Sequence, residues 1–202
     1  MTPAASHNDV VLITGCGSGI GKALARAFHR QGRRVCATAR KLDAMADLAA
    51  EGIDTHVLDV TCEADVQALL SALQAQGLWV QTLVNNAGYG AMGPMLDVPA
   101  AEWQRQFDVN LFAPIALARA VLPAMVAQRQ GCIANISSVS GVMVTPFAGP
   151  YCASKAAFNA ASRAMFAMSR AGTLPKPFSH IHPKHRTPDV AIISNGQKNS
   201  SS

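Results

Sequence analysis

Val10-Val-Leu-Ile-Thr-Gly-Cys-Gly-Ser-Gly-Ile-Gly21 joins a short apolar run to a turn that contains four glycines. The run Val10–Ile13 is typical of a buried strand, and the apolar residues after Gly21 recur at helical spacing. Glycines let a backbone turn tightly and approach a pyrophosphate, and a helix N-terminus offers unpaired N–H groups to an anion. The stretch therefore predicts a phosphate-binding turn between a strand and a helix; a glycine-rich turn that binds nothing is the alternative.

The alternation of strand and helix continues along the chain. Strands are predicted at 35–38, 55–59, 82–85 and 132–136, and helices at 43–50, 65–76, 103–128 and 151–169. Pro114 and Pro123 are predicted kinks or turn points in the helix at 103–128. Such alternation implies a parallel sheet with helices on both faces. We therefore predict an α/β fold, a doubly wound parallel sheet of the Rossmann type, in a dinucleotide-binding domain over residues 1–170.

Residues 171–202 differ in character from the rest of the chain. This segment contains four prolines, three histidines (His180, His182 and His185), and four Lys or Arg against Asp189 alone. Segments with so little apolar content do not bury enough surface to fold. We predict a basic, mostly disordered tail that leaves the sheet C-terminally incomplete, with a short strand at 190–193 on the sheet edge as the alternative. No metal site is expected at the histidines.

Composition excludes several classes of protein. The chain has 202 residues, of which 50% are hydrophobic and 14% charged, as in a folded globular protein. The net charge is +5, but the tail supplies most of it and no basic stripe is interleaved with aromatic residues, so nucleic acid is not an expected partner. Five cysteines without C-x-x-C spacing favour a reduced, cytoplasmic protein. The short polar N-terminus does not resemble a signal peptide, and no integral membrane segment is expected, because no apolar run approaches the roughly 20 residues that a span needs.

The residues after the second predicted strand bear on the choice of cofactor. An acidic residue at this position would bind the ribose 2′-hydroxyl of NAD. Here Ala39 is followed by Arg40 and Lys41. Two cations suit a 2′-phosphate, so the sequence favours NADP(H). The alternative is a solvated basic pair at the end of a strand.

Tyr151-Cys-Ala-Ser-Lys155 places a tyrosine and a lysine one helical turn apart on the same face. An ammonium beside a phenol favours the phenolate, so the tyrosine can exchange a proton with an alcohol or a developing alkoxide. Ser138 follows the strand predicted at 132–136, which brings its hydroxyl to the carboxyl end of that strand. Alone, a Tyr-x-x-x-Lys pair is a weak signal, and a serine after a strand is more often a cap.

Together these residues resemble the short-chain dehydrogenase/reductase family in its single-domain branch. Thr14-Gly-x-x-x-Gly-Ile-Gly21 is similar to the family's cofactor turn, Asp59 to its adenine-contacting residue, and Asn85-Asn-Ala-Gly88 to its fourth-strand motif. The similarity runs over about residues 9–169. The sixth strand ending in Pro-Gly, the substrate-covering segment and the seventh strand of the family are not recognisable.

The resemblance implies the residues of the site. The catalytic residues are Asn110, Ser138, Tyr151 and Lys155, and the cofactor-binding residues are Gly15, Ser18, Gly19, Ile20, Gly21, Arg40, Lys41, Asp59, Val60, Asn86, Ala87, Gly88, Tyr151 and Lys155. Tyr151 is the general acid or base and Lys155 also binds the nicotinamide ribose. Ser138 donates to the substrate oxygen, and Asn110 holds a water that relays protons to Lys155. Without their partners, Asn110 would be a polar residue on a helix.

Two functions follow from these features. The first is NADP(H)-dependent transfer of a hydride between nicotinamide and a carbonyl or alcohol, in a homodimer or homotetramer. The second is a truncated, catalytically impaired product that binds cofactor or pairs with a partner chain. An apolar pocket could be lined by Tyr89, Met92, Met95, Val142, Met143 and Phe147, although such residues are more often plain core.

Overall fold

The computed structural model describes residues 8–170 and 192–193. The strands are β1 (Asp9–Ile13), β2 (Val35–Ala39), β3 (Asp54–Val57), β4 (Trp79–Asn85), β5 (Cys132–Ile136) and β6 (Ile192–Ile193). The helices are α1 (Gly19–Arg30), α2 (Ala46–Ala50), α3 (Glu63–Ala75), α4 (Ala100–Phe107), α5 (Ala113–Ala127) and α6 (Gly149–Arg170). Short 3₁₀ turns lie at Asp43–Met45 and Val139–Gly141, and a π-helical turn at Asp108–Phe112 joins α4 to α5.

The six strands form one parallel sheet in the order β3-β2-β1-β4-β5-β6. β1 pairs with β2 on one side and with β4 on the other, so the strand order reverses between β1 and β4. In sheets of this kind ligands bind beyond the carboxyl ends of the strands at the point of reversal. The predicted doubly wound α/β fold is confirmed. A ligand site is therefore expected at the residues that follow β1 and β4.

Both faces of the sheet are buried, as the apolar strands predict. Val10 and Leu12 pack on one face in a cluster that includes residues of α3 and α5. Val11 and Ile13 pack on the opposite face against residues of α1 and α2. The alternation of side chains along a strand thus explains why β1 contains only apolar residues between Val10 and Ile13.

The segment predicted as one helix at 103–128 is divided by the π-helical turn. Pro114 is in the first turn of α5, where a missing N–H is tolerated. Pro123 lies inside α5, which continues to Ala127, so it is not a turn point. Proline has no N–H to donate to the carbonyl of Arg119. Arg119 and Pro123 are both exposed, so water can hydrate this carbonyl instead.

Ala100–Ala127 as a whole is long and apolar enough, by length and composition, to cross a membrane, and it is the one such stretch in the described residues. This corrects the expectation that no apolar run approaches that length. However, the stretch contains the buried polar residues Gln106 and Asn110, and α5 packs on β4. A core helix passes the same test of length and composition, so the finding is weak evidence for a span.

The C-terminal strand alternative is borne out in part. Ile192 and Ile193 pair in parallel with Asn135 and Ile136 of β5. The other residues of the tail, including its three histidines and the predicted disordered region, lie outside the described residues. Among the described residues, β5 is therefore paired over two residues on its outer side.

Candidate active site

The glycine-rich turn after β1 is held against the segment that follows β4. Gly15 and Gly19 have φ values of 72° and 57°, which residues other than glycine rarely adopt. A Cβ on Gly21 would lie 2.4 Å from Asn86 Nδ2 and 2.5 Å from the Gly15 carbonyl oxygen. Ser18 precedes α1 without capping it through its side chain. The turn therefore needs glycine for two separate reasons, positive φ and close packing.

Thr14 and Asn86 join these two segments. Thr14 Oγ1 accepts hydrogen bonds of 3.0 Å from the N–H groups of Asn86 and Ala87. The Asn86 side chain donates in return to the carbonyls of Thr14, at 2.8 Å, and Gly15, at 3.1 Å. Asn86 was predicted to bind cofactor, and its amide is engaged in shaping the turn. Thr14 was quoted in the motif but not predicted as a site residue; its position directly after a buried strand was the available signal.

A cleft of about 700 Å³ opens beside this turn. It is lined by eight of the predicted cofactor residues: Gly15, Ser18, Arg40, Lys41, Asp59, Val60, Ala87 and Gly88. Gly19, Ile20 and Gly21 are adjacent in α1, whereas Asn86, Tyr151 and Lys155 are not among the lining residues. The helical residues Arg105, Asp108 and Val109 also line the cleft, and sequence reasoning missed them because their spacing does not distinguish them from other helix residues.

The cations at the end of β2 differ from those on α1 in their partners. Lys22 Nζ and Arg26 Nη2 form ion pairs with Asp47 at 2.9 and 2.7 Å. Arg40 and Lys41 are exposed and form no ion pair with any described residue. Both of these latter cations therefore face the cleft without a carboxylate partner in the described part of the chain.

Asp59 also lines the cleft, and its carboxylate is oriented by Thr61. Its Oδ1 accepts hydrogen bonds from Thr61 Oγ1 at 2.6 Å and from Thr61 N at 2.9 Å. These bonds hold the pKa of the Asp59 carboxyl below its usual value, with a smaller contribution from Arg40 and Arg105. Asp59 is therefore an acceptor that stays ionised at neutral pH.

Tyr89 forms part of the wall between this cleft and the end of α4. Its hydroxyl donates to Glu102 Oε1 at 2.8 Å, and the Arg105 guanidinium lies 5.2 Å from its ring centroid. Desolvation and the Glu102 hydrogen bond raise the pKa of Tyr89 to about 12. Tyr89 is therefore a neutral phenol held to α4 at its hydroxyl. It was predicted as a pocket residue, and in the structure it lines the cleft with the cofactor-turn residues.

Tyr151 and Lys155 lie in the first two turns of α6. Tyr151 is half-buried, whereas Lys155 is 4% exposed. Lys155 Nζ donates to the carbonyl of Ile136 at 3.1 Å and lies 6.0 Å from the centroid of the Tyr151 ring. Burial lowers the pKa of Lys155 to about 8. Tyr151 and Lys155 thus lie on one face of α6, as predicted, and the ammonium is held at the carboxyl end of β5.

Ser138 follows β5 and begins a 3₁₀ turn. Its Oγ accepts a hydrogen bond of 3.1 Å from the N–H of Ser140. A hydroxyl whose oxygen accepts from the backbone still has its own proton to donate. Ser138 therefore caps the 3₁₀ turn, as the alternative interpretation predicted. Its hydroxyl can also donate a hydrogen bond to a ligand.

The Asn110 side chain is fully buried in the π-helical turn between α4 and α5. It exchanges hydrogen bonds with the backbone of Tyr89, with Oδ1 accepting at 3.1 Å and Nδ2 donating at 2.9 Å. Nδ2 also donates to Ser154 Oγ at 3.0 Å, and Ser154 Oγ donates to the Tyr151 carbonyl at 2.8 Å. Asn110 therefore connects the segment after β4 to α6. Ser154 was missed by sequence reasoning, although it lies between Tyr151 and Lys155.

Asn110, Tyr151 and Lys155 lie together where β4 and β5 end, and Ser138 is two residues beyond β5. A Cβ on Gly88 would lie 3.0 Å from Asn110 Oδ1 and 3.3 Å from Lys155 Nζ, so these three residues meet at one point. Ser138 comes just after β5 and begins the 3₁₀ turn. Lys155 reaches the end of β5 from α6, through its bond to the Ile136 carbonyl. Within the described residues, no group of three His, Cys, Asp or Glu side chains is arranged to hold a metal ion.

The model of the short chain dehydrogenase family matches residues 9–171, which cover the turn, the cleft and these four side chains. The chain belongs to the short chain dehydrogenase family. Proteins of this family are oxidoreductases that use nicotinamide cofactors. Among curated relatives, the chain is 39% identical over 167 residues to dehydrogenase/reductase SDR family member 7B of Bos taurus. That match covers 76% of the chain and 51% of the relative, so the chain spans about half of that relative's length.

Solved structures of short-chain dehydrogenases have the same fold. A short-chain dehydrogenase from Streptomyces avermitilis superposes with a TM-score of 0.78 at 32% identity, covering 83% of this chain and 63% of that one. A metagenomic short-chain oxidoreductase in complex with NADP superposes with a TM-score of 0.74 at 34% identity, covering 81% of this chain and 77% of that one. The predicted family and fold are thus confirmed.

Proposed function

We propose that this short chain dehydrogenase is an NADP(H)-dependent oxidoreductase that transfers a hydride between nicotinamide and a carbonyl or alcohol substrate. The observation that carries the proposal is the grouping of Asn110, Tyr151 and Lys155 at the carboxyl ends of β4 and β5, beside the glycine turn, with Ser138 two residues beyond β5. The proposed domain for this work comprises residues 1–170, and residues 171–202 are assigned to the tail, of which Ile192–Ile193 pair with β5.

The cleft suits a dinucleotide. The glycines of the turn let it pack closely against Asn86 and Ala87 beside the cleft, and about 700 Å³ is within the range of cofactor sites. The α1 N-terminus would bind the pyrophosphate, and Asp59 would accept a hydrogen bond from the adenine. NADP supplies the hydride acceptor or donor when it is bound. Arg40 and Lys41, without carboxylate partners among the described residues, would hold the 2′-phosphate.

The side chains of the chain itself would manage the proton and the substrate oxygen. Tyr151 gives its phenolic proton to the developing alkoxide during reduction, or takes one from the alcohol during oxidation. Ser138, whose oxygen already accepts from Ser140 N, donates a hydrogen bond to the same substrate oxygen. Lys155, whose Nζ lies 6.0 Å from the centroid of the Tyr151 ring, would bind the nicotinamide ribose. Asn110 positions the Tyr89 backbone and Ser154, and we retain its role in a water relay to Lys155 as a prediction.

A second candidate is a catalytically impaired product that binds cofactor or pairs with a partner chain. One observation favours it: among the described residues, β5 is paired with β6 over two residues. The small residues of α5 and α6 are compatible with helix pairing, and we propose a homodimer or homotetramer for either function. The two candidates differ in turnover.

The experiment that separates them is a titration of the purified chain with NADPH, followed by assays against a panel of aldehydes and ketones. We expect saturable NADPH binding and NADPH oxidation. Tyr151→Phe should lower that oxidation about 10²–10⁴-fold and leave NADPH binding unchanged, because only the proton-transferring hydroxyl is removed. Binding without turnover would favour the second candidate, and a chain that does not bind NADPH would contradict the first candidate and leave only the partner-pairing form of the second.

A further inference from the structure

Two loops enclose the approach to Tyr151. The first follows β4, and its Gly90 is so close to Tyr151 that a Cβ there would lie 2.9 Å from the ring carbon Cγ. The second follows the 3₁₀ turn that Ser138 begins. The loops are joined by a hydrogen bond of 2.8 Å from Gly93 N to the Phe147 carbonyl. Both groups proposed to handle the substrate oxygen therefore lie at the base of these loops.

Large apolar side chains of these loops are open to solvent. Six of them, between 55% and 85% exposed, form what we term the apolar rim: Met92, Met95, Val142, Met143, Val144 and Phe147. Exposed apolar surface concentrated in one region marks a site of interaction. Phe147 also has a φ of 60°, which a bulky residue rarely adopts and which its bond to Gly93 helps to hold.

The same loops contain no cationic side chain. Residues 86–99 and 139–151 include no Lys, Arg or His, and Asp97 is the one carboxylate among them. A carboxylate or phosphate on a substrate would lose its hydration here without a cation to replace it, which is costly. The nearby cation Arg105 lies over Tyr89 and lines the cofactor cleft instead.

We propose that the apolar rim binds the substrate and selects an uncharged, hydrophobic carbonyl or alcohol, such as one with a medium-length aliphatic chain. This inference rests on the proposed function, since it takes Tyr151 as the proton donor. The flexible side chains of Met92, Met95 and Met143 can adapt to different apolar shapes. The rim thus sets selectivity by chain length and by absence of charge.

Three ketones test the proposal without requiring turnover: 2-butanone, 2-decanone and 9-oxodecanoate. Binding to the full chain with NADP⁺ is measured by ligand-observed NMR titration, because the oxidised cofactor cannot reduce a ketone. Each fully buried methylene strengthens binding about threefold to fourfold. We therefore expect 2-decanone to bind at least about 100-fold more tightly than 2-butanone, and 9-oxodecanoate to bind more weakly than 2-decanone by a similar factor.

Val142→Lys places a cation in the rim, and Val126→Lys, at an exposed apolar residue near the end of α5, is the matched control. We expect Val142→Lys to weaken 2-decanone binding at least about tenfold and to strengthen 9-oxodecanoate binding, and Val126→Lys to change neither. Equal binding of the two long ketones, or no binding of 2-decanone, would overturn the proposal. So would a Val142→Lys variant that loses self-association in light scattering but binds 2-decanone as before, since the rim would then be a subunit contact.

The proposed function is judged separately by NADPH oxidation. If 2-decanone binds through the rim but no ketone is reduced, the substrate site is supported and the oxidoreductase activity of this chain is rejected. If charged or short ketones are reduced as fast as 2-decanone, the activity stands and the rim does not select the substrate.

Discussion

The ammonium of Lys155 donates a hydrogen bond of 3.1 Å to the carbonyl of Ile136. This bond ties α6 to the last residue of β5 and holds a cation where it is almost fully buried. Among the described residues Lys155 forms no ion pair, and burial lowers its pKa to about 8. Lys155 is therefore a group whose charge the folded chain disfavours.

This gives a pH-dependent stability. Between pH 8 and the ordinary lysine pKa of 10.5, the unfolded state binds more protons at this position than the folded state, so stability rises with pH through that interval. Below pH 8 the cost of the buried charge is fully present. Lys155→Met removes the titration, so from pH 7 to 9 the cofactor-free wild type should gain about 1 kcal/mol relative to the variant.

Urea unfolding at several pH values measures this difference, with Lys41→Met as the control at an exposed lysine. The free energy of unfolding of Lys41→Met should follow that of wild type in parallel over the pH range. If the unfolding free energies of wild type and Lys155→Met also change in parallel with pH, Lys155 is not desolvated in solution.

Cofactor choice is tested at Arg40. We expect Arg40→Ala to weaken NADPH binding by about 10–100-fold, the loss of a charge-assisted phosphate contact, and to change NADH binding less than about twofold. Fluorescence titration with each cofactor measures both constants. Arg30→Ala, at an exposed arginine in the last turn of α1, is the control. Equal losses for NADPH and NADH would contradict the assignment of a 2′-phosphate site.

Gly90 and Gly93 make a matched pair in the loop after β4. A Cβ on Gly90 would meet Tyr151 Cγ at 2.9 Å, whereas on Gly93 it would lie 3.8 Å from the nearest atom, Val98 Cγ2. Gly90→Ala should displace the Tyr151 ring and lower kcat about tenfold or more, since small misplacements of reacting groups are costly. NADPH affinity should be retained. Steady-state kinetics that are the same for Gly90→Ala and Gly93→Ala would mean that the loop moves away from Tyr151 in solution.

Below the site, a chain of buried polar side chains links β4, β5 and α6. Asn85 Nδ2 donates to Asn135 Oδ1 at 2.9 Å, and Asn135 Nδ2 donates to Ser162 Oγ at 2.9 Å. Asn135→Ala leaves both neighbours short of a partner and should lower the free energy of unfolding by about 2–3 kcal/mol. Ser162→Ala should cost less.

Because the two residues share a hydrogen bond, the double variant should cost less than the sum of the two single variants in urea unfolding. Strictly additive losses would show that Asn135 and Ser162 are not coupled.

The sequence alone determined the fold class, the family and the positions of the site. Val10–Ile13 alternates its side chains between two buried faces, so an unbroken apolar run predicts a strand of a covered parallel sheet. The glycines of the turn and the spacing of Tyr151 and Lys155 reflect local backbone and helix geometry. These are properties of neighbouring residues, which is why they can be predicted without coordinates.

The tertiary structure decided how each side chain is used. That Asn110 bonds to Tyr89 and Ser154, that Gly90 contacts the Tyr151 ring, and that helix α5 continues past Pro123 depend on contacts between distant segments. The same holds for the Lys155 pKa, because desolvation depends on what surrounds the ammonium and not on the residues beside it in the chain. Sequence spacing determines which groups can meet, and packing determines their hydration, their hydrogen-bond partners and their charge.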